Sequence, residues 1–240
     1  MSEARTVTAV TGDPRSEFWS GIRASLPVTI GVVPFGVTCG VMGVTVALTP
    51  METILMSALV FAGASQFVAL TMLSGPAGWG MIVLTTLLIN LRHLLMGASL
   101  APYMKRLPMP LQALLAFGIV DESYVLTMDR LRQHAYDPSF HLGCHVPFYV
   151  VWLTSTAIGA YMGRHIADPL AWGLDFAMPA TFLALLVPRL VDKTAALVCV
   201  LAGAVSVAGA LYLPGKWYII VACLVASLAG GLMEGKTDAS

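Results

Sequence analysis

Apolar residues run along this chain in blocks rather than in alternation. A helix needs about 20 mostly apolar residues to cross a bilayer. Eight segments meet or nearly meet that length: 21–48, 51–73, 79–100, 111–128, 144–163, 172–190, 192–212 and 214–233. The connections are short. PYMKRLPMP (102–110) reads as a Pro-rich turn. The longest connection, Asp129 to Gly143, is polar and holds Arg130, Arg132, His134, Asp137 and His141. The pattern predicts an all-α polytopic membrane protein with about eight transmembrane helices. A single transmembrane domain is expected over 21–233, with polar tails at 1–20 and 234–240 expected to be disordered.

Composition supports that reading. Hydrophobic residues make up 58% of the 240 and charged residues 11%, with mean hydropathy +0.81. Soluble domains carry about a quarter charged residues, so this chain could not cover itself with polar surface. Formal net charge is zero, which argues against a nucleic-acid partner. Residues 1–20 hold no apolar h-region, so no signal peptide is expected. Cys39, Cys144, Cys199 and Cys223 sit in or beside apolar runs without CxxC spacing. They read as small packing residues, not as a zinc or disulfide framework, and no cofactor or metal is expected.

Lysine and arginine placement sets orientation. With a cytoplasmic N-terminus, the inside segments hold Arg5, Arg15, Arg23, Arg130, Arg132, Arg189, Lys193 and Lys236. The outside loops hold Lys105, Arg106, Arg164 and Lys216. The balance predicts both termini inside, with the Lys105–Arg106 pair running against it. The expected location is a membrane, crossed several times, with the N-terminus in the cytoplasm.

GIRASLPVTIGVVPFG (21–36) and GLDFAMPATFLALLVP (173–188) share a layout. Each starts with Gly and an aliphatic residue, has Pro six positions on (Pro27, Pro179) and a second Pro later (Pro34, Pro188). Two apolar segments follow each. The arrangement predicts a 3+3 inverted repeat. Proline removes a backbone donor and clashes with the preceding turn. Pro27, Gly31, Pro34, Gly36 and Gly40 therefore predict a broken first helix, with Pro34 and Pro179 near broken-helix ends. Broken segments at matching places in two halves point to a transporter's binding site.

The stretch TLLINLRHLLMGASL (86–100) places Asn90, Arg92 and His93 at membrane depth. Intramembrane ionisable residues are functional-site candidates, and a lone Arg there costs about 3 kcal/mol on insertion scales. The next apolar segment brings Asp121 and Glu122 back to a similar depth, so Arg92 is expected to pair with Asp121 or Glu122. A structural ion pair that fixes helix register stands beside the functional reading. Asn90, His93 and Gly97 share one helical face, and Gly97 is expected to admit a close neighbour. Arg92 points about 200° away from Asn90. His93 and Glu122 are candidate proton carriers, although His93 also fits a neutral hydrogen-bonded role. Ser65 and Gln66 lie in a small-residue stretch, where a Gln serves as helix–helix glue as readily as a ligand.

Taken in order, GIRASLPVTIGVVPFG, FAGASQFVAL, INLRHLLMGASLAP, DESYVLT and LDFAMPATFLALL resemble the AzlC family, the large subunits of branched-chain amino acid exporters. The resemblance covers roughly residues 16–233. It implies export of branched-chain or similar apolar amino acids, driven by the proton gradient, together with a small AzlD-type membrane subunit. On the motifs, it singles out Pro34 and Gly36, then Gly63, Ser65 and Gln66, then Asn90, Arg92 and His93, then Asp121, Glu122 and Ser123. Tyr124 stands where the family pattern suggests Phe.

The expectation is a secondary transporter, with Pro34, Gly36, Gly63, Ser65, Gln66, Asn90 and Pro179 toward substrate. Arg92, His93, Asp121 and Glu122 would form a charge pair or proton relay. A permease or channel for another small apolar solute, or a non-transporting scaffold, is the alternative. No HExxH, GxSxG or paired-Asp protease motif occurs, so an enzyme is not expected.

Overall fold

The computed structural model describes residues 13–165, 183, 186–187, 190–213 and 217–237, with side chains to 233 in the last segment. Among these residues there are nine helices and no strand. They are α1 (Pro14–Thr45), α2 (Pro50–Val60), α3 (Gly63–Leu73), α4 (Trp79–Met104), α5 (Met109–Phe117), α6 (Asp121–Gln133), α7 (Pro138–Gly163), α8 (Lys193–Tyr212) and α9 (Trp217–Thr237). The fold is all-α. Of the described helices, α1, α4, α7 and α8 are each long and apolar enough to cross a membrane, and α5 with α6 make a fifth if the bent pair is one span.

Local chemistry sets the helix starts. α1, α2 and α7 each begin with a cap residue followed by proline: Asp13–Pro14, Thr49–Pro50 and Asp137–Pro138. Proline at the first helical position has no N–H to satisfy and a pre-set φ. The Asp137 carboxylate accepts from the Ser139 and Phe140 N–H groups at 2.7 and 3.2 Å. At α2, Thr49 and Glu52 form a reciprocal capping box, each satisfying an N–H of the other. The Asp192 carboxylate accepts from Ala195 N–H at 2.6 Å to start α8.

Several expectations are corrected here. α1 is one 32-residue helix with Pro27 and Pro34 inside it, so the first segment is not broken at its prolines. Both prolines are on exposed positions, and the Thr38 hydroxyl donates to the Pro34 carbonyl at 2.8 Å. The helix also takes in residues 14–20, expected to belong to a disordered tail. At the other end, α9 continues to Thr237. The connection from Asp129 to Gly143 shrinks to residues 134–137, because α6 runs to Gln133 and α7 starts at Pro138. Breaks do occur, but in the second and fourth apolar segments. The start of the second half of the expected repeat, with Pro179 and Pro188, lies outside the described residues, as do the first 12.

The chain divides into two compact units. One contains Met1–Gln66 and Asn90–Ala167, the other Phe67–Ile89 and Asp168–Ser240. In the first, α1 and α7 pack along most of their lengths. Their backbones touch: a Cβ on Gly40 would strike the Thr156 carbonyl, and one on Gly159 the Val37 carbonyl. Without a hydrophobic drive between helices in lipid, such close approach and its dispersion energy hold helix pairs together. Cys39 and Cys144, both fully buried and free, pack there. Beside the pair, Leu100, Met104, Leu115, Ile119 and Tyr136 form an apolar cluster that joins α4, α5 and the α6–α7 turn. In the second unit, α8 and α9 pack on each other, with Gly209 against Tyr218.

Candidate functional site

The first break falls between α2 and α3. Phe61 closes α2 in the left-handed region, φ 43° and ψ 45°. That conformation costs a non-glycine residue about 1–2 kcal/mol, so packing must hold it; the ring is 4% exposed. A helix end leaves carbonyls without intrahelical donors. The Phe61 N–H takes the Ser57 carbonyl at 3.2 Å, and the Tyr149 hydroxyl of α7 donates to the Ala58 carbonyl at 3.1 Å.

A polar network crosses this break. Gln66 donates from Nε2 to Ser57 Oγ at 2.9 Å and accepts at Oε1 from the Trp152 indole N–H at 3.1 Å. The Ser57 hydroxyl donates on to Thr156 Oγ1 at 3.2 Å. All four residues are buried. Gln66 is therefore anchored at both ends of its amide, and ties α3 to α2 and α7. The Trp152 ring also lies against Gly63, within 3.0 Å of where a Cβ would stand.

The second break separates α5 from α6, which bend by 120°. Val120 is extended, φ −124° and ψ 164°. Ser123 manages the freed groups: its hydroxyl oxygen accepts from Val120 N–H at 3.1 Å and its proton can go to the Gly118 or Val120 carbonyl. Asp121 and Glu122 occupy the first turn of α6, where the helix dipole favours negative charge.

The two breaks converge on α7. The Phe61 and Phe117 rings, one from each break, are 6.2 Å apart. The Tyr149 ring contacts both, at 5.0 and 6.0 Å. Phe117 is 46% exposed while Phe61 is buried, so the triangle of rings has an open side. Half-helix ends beside it carry partial charge of both signs, N–H groups at the starts of α3 and α6 and carbonyls at the ends of α2 and α5.

A charge pair stands at the start of α6. Arg92 Nη1 of α4 meets Asp121 Oδ2 at 2.7 Å, with the side chains 34% and 19% exposed. Near it on α4, Asn90 Oδ1, Arg92 Nε and His93 Nε2 are buried without a hydrogen-bond partner among the described residues. Each unsatisfied buried polar atom costs about 1–3 kcal/mol. The α4 cluster thus carries more polar capacity than one ion pair uses.

Next to the second break, α7 holds two further imidazoles. His141 and His145 are 0% and 4% exposed. The Tyr136 hydroxyl lies 2.8 Å from His141 Nδ1. Burial, and then the Asp137 carboxylate, push the Tyr136 phenol above its ordinary range, so it stays protonated and available as a donor.

The AzlC protein family model matches residues 27–166. These residues carry α1 from Pro27, both breaks, the charge pair and α7. The chain belongs to the AzlC family. It is 31% identical over 197 residues to an Escherichia coli inner membrane protein, YgaZ, covering 78% of this chain and 80% of that one. An uncharacterized membrane protein of Archaeoglobus fulgidus is 30% identical over 220 residues, 91% of this chain and 94% of its own. The Bacillus subtilis branched-chain amino acid transport protein AzlC is 26% identical over 215 residues, 88% and 84% of the two chains. No solved structure matches.

Of the positions that the AzlC motifs single out, Gly63 and Gln66 meet at Trp152, and Arg92 meets Asp121. Ser65 bonds back to the Ala62 carbonyl of its own helix turn at 2.9 Å. Ser123 works at the second break. Asn90 and His93 lie on α4 with unpartnered atoms, and Glu122 sits beside Asp121. Pro34 and Gly36 stand apart from both breaks in sequence: Pro34 is exposed, and Gly36 packs on Ser155 of α7. Among the described residues no close neighbour is found at Gly97: nothing lies within 4 Å of a Cβ built on it. Pro179 lies outside the described residues. The aromatic triangle, Ser57, Trp152, Thr156, His141 and His145 had no site role in the sequence reading. The signal for the histidines was Asp137–Pro138, a helix start four residues ahead of His141.

Proposed function

We propose that this AzlC-family membrane protein is a secondary transporter that exports branched-chain or similar apolar amino acids. The observation that carries the reading is the meeting of two helix breaks at Tyr149, flanked by an anchored amide and a charge pair. A zwitterion needs donors for its carboxylate and acceptors for its ammonium. The N-terminal ends of α3 and α6 offer N–H groups, and the C-terminal ends of α2 and α5 offer carbonyls. Phe61 and Phe117 suit an aliphatic side chain. Gly63 and Gln66 follow the first break and Asp121, paired with Arg92, follows the second; in this reading Asn90 faces substrate, and His93 and Glu122 are groups that could carry charge in transit. The Bacillus subtilis relative's name, branched-chain amino acid transport protein, supports the substrate class.

The working arrangement we propose is an inner-membrane protein with its N-terminus in the cytoplasm. It acts with a small AzlD-type subunit and couples export to the proton gradient. Counterflow of labelled leucine in proteoliposomes, with and without that subunit, tests the reading. Saturable exchange is expected. Flux without saturation would favour a channel, and no flux in either preparation would favour a scaffold.

A further inference from the structure

The charge pair and the Gln66 network leave the α7 histidines without a task. His141 and His145 are one helical turn apart, with ring centroids at 4.3 Å. Three of their four ring nitrogens, His141 Nε2 and both of His145, have no hydrogen-bond partner among the described residues. The fourth, His141 Nδ1, faces Tyr136. Buried polar groups in native proteins are paired, and each exception asks for an explanation. Packing alone does not give one, since an apolar ring would fill the space without idle nitrogens. The space also limits what could bind: Gly118 is so close that a Cβ on it would collide with His145 Nδ1. A proton is the ligand that enters without displacing the ring, and imidazole is the side chain whose ordinary titration lies near neutrality.

We propose that His141 and His145 bind one shared proton, and that loading it biases the α5–α6 break between two positions. This deepens the transport reading above and rests on it, since it assigns the coupling proton to α7. One proton is the capacity because two like charges at this separation oppose each other.

The surrounding charges fit this assignment. On α6, Arg130 is paired with Glu17 of α1 at 2.7 Å and lies over the Phe140 ring. Asp121 is paired with Arg92 of α4, and Glu122 follows it in the first turn of α6. Asp137 caps the start of α7 itself. Arg23 of α1, Glu52 of α2, and Asp129 and Arg132 of α6 are exposed. On α5 the end of the helix itself is the electrostatic partner. His145 abuts Gly118, which follows the last residue of α5, where the dipole is negative. A protonated ring is drawn to that end and a neutral one is not, so protonation has differential contact with the break.

The test uses the full chain. In proteoliposomes, labelled leucine flux is measured twice: as counterflow at equal pH, and as flux driven by an imposed pH gradient. His145→Gln is expected to lower gradient-driven flux by at least about tenfold while counterflow stays within about threefold. In parallel, nitrogen-15 histidine NMR of the wild-type protein in nanodiscs is expected to show one buried imidazole titration that His145→Gln removes. Gradient-driven flux at the wild-type level in His145→Gln, or the absence of that titration, overturns the proposal. Should His145→Gln aggregate, His145→Asn and the wild-type titration decide. A wild-type protein that titrates yet moves no leucine would refute the transport reading and leave the proton site standing.

Discussion

Arg92 and Asp121 close an ion pair at 2.7 Å between α4 and the first residue of α6. Residues 29 apart in sequence meet because α6 starts immediately after the α5–α6 break. The pair therefore fixes where the broken segment resumes. Removing either partner leaves the other charge partly buried. Asp121→Asn and Arg92→Gln are each expected to lower stability by about 2 kcal/mol and leucine export by at least about tenfold. The exchanged pair, Arg92→Asp with Asp121→Arg, should recover part of the stability. Thermal unfolding of the wild type, the two single variants and the exchanged pair checks it.

Gln66 and Ser65 are adjacent in one motif, yet the structure separates their roles. Gln66→Leu removes the acceptor of the Trp152 indole N–H and a donor to the Ser57 hydroxyl, at an expected cost of about 2 kcal/mol. Ser65→Ala removes only a bond within its own helix turn and is expected to cost less than about 1 kcal/mol. Denaturation midpoints of the two variants, read by tryptophan fluorescence, should differ in that order.

Two glycines give opposite expectations. Gly118→Ala must push its Cβ into His145, and overpacking of that kind costs about 1–3 kcal/mol. Gly97→Ala meets no described atom within 4 Å in mid-helix, where alanine gains up to about 1 kcal/mol in helix propensity. Melting temperatures should fall for the first and hold or rise for the second.

Pro34 tests the correction to α1. Because α1 runs through Pro34 unbroken and the residue is exposed, Pro34→Ala is expected to leave export within about twofold. A large loss of export would instead support a break at that point.

The length and composition of the apolar blocks made the all-α membrane fold legible, because a bilayer allows few alternatives. The Arg92–Asp121 contact was legible too, since an arginine in an apolar run demands a partner and Asp121 lies on the next segment. The position of the breaks was not. Proline is the local signal for a broken helix, yet Pro27 and Pro34 sit within α1 on exposed positions. The break at Phe61 has no proline or glycine at that residue: a left-handed phenylalanine is held by Tyr149 and Phe117, which are distant in sequence. Only Gly118 marked the other break. His141 was hidden by a boundary error, because α7 begins six residues before the first apolar residue assigned to it, Cys144.

Counterflow of labelled leucine by the purified protein in liposomes, wild type against Asp121→Asn and Gln66→Leu, bears most directly on the convergence of the two breaks as a transport site. Saturable exchange in the wild type, cut at least about tenfold in both variants while they remain folded and inserted, is the predicted result. Wild-type exchange rates in both variants would contradict it.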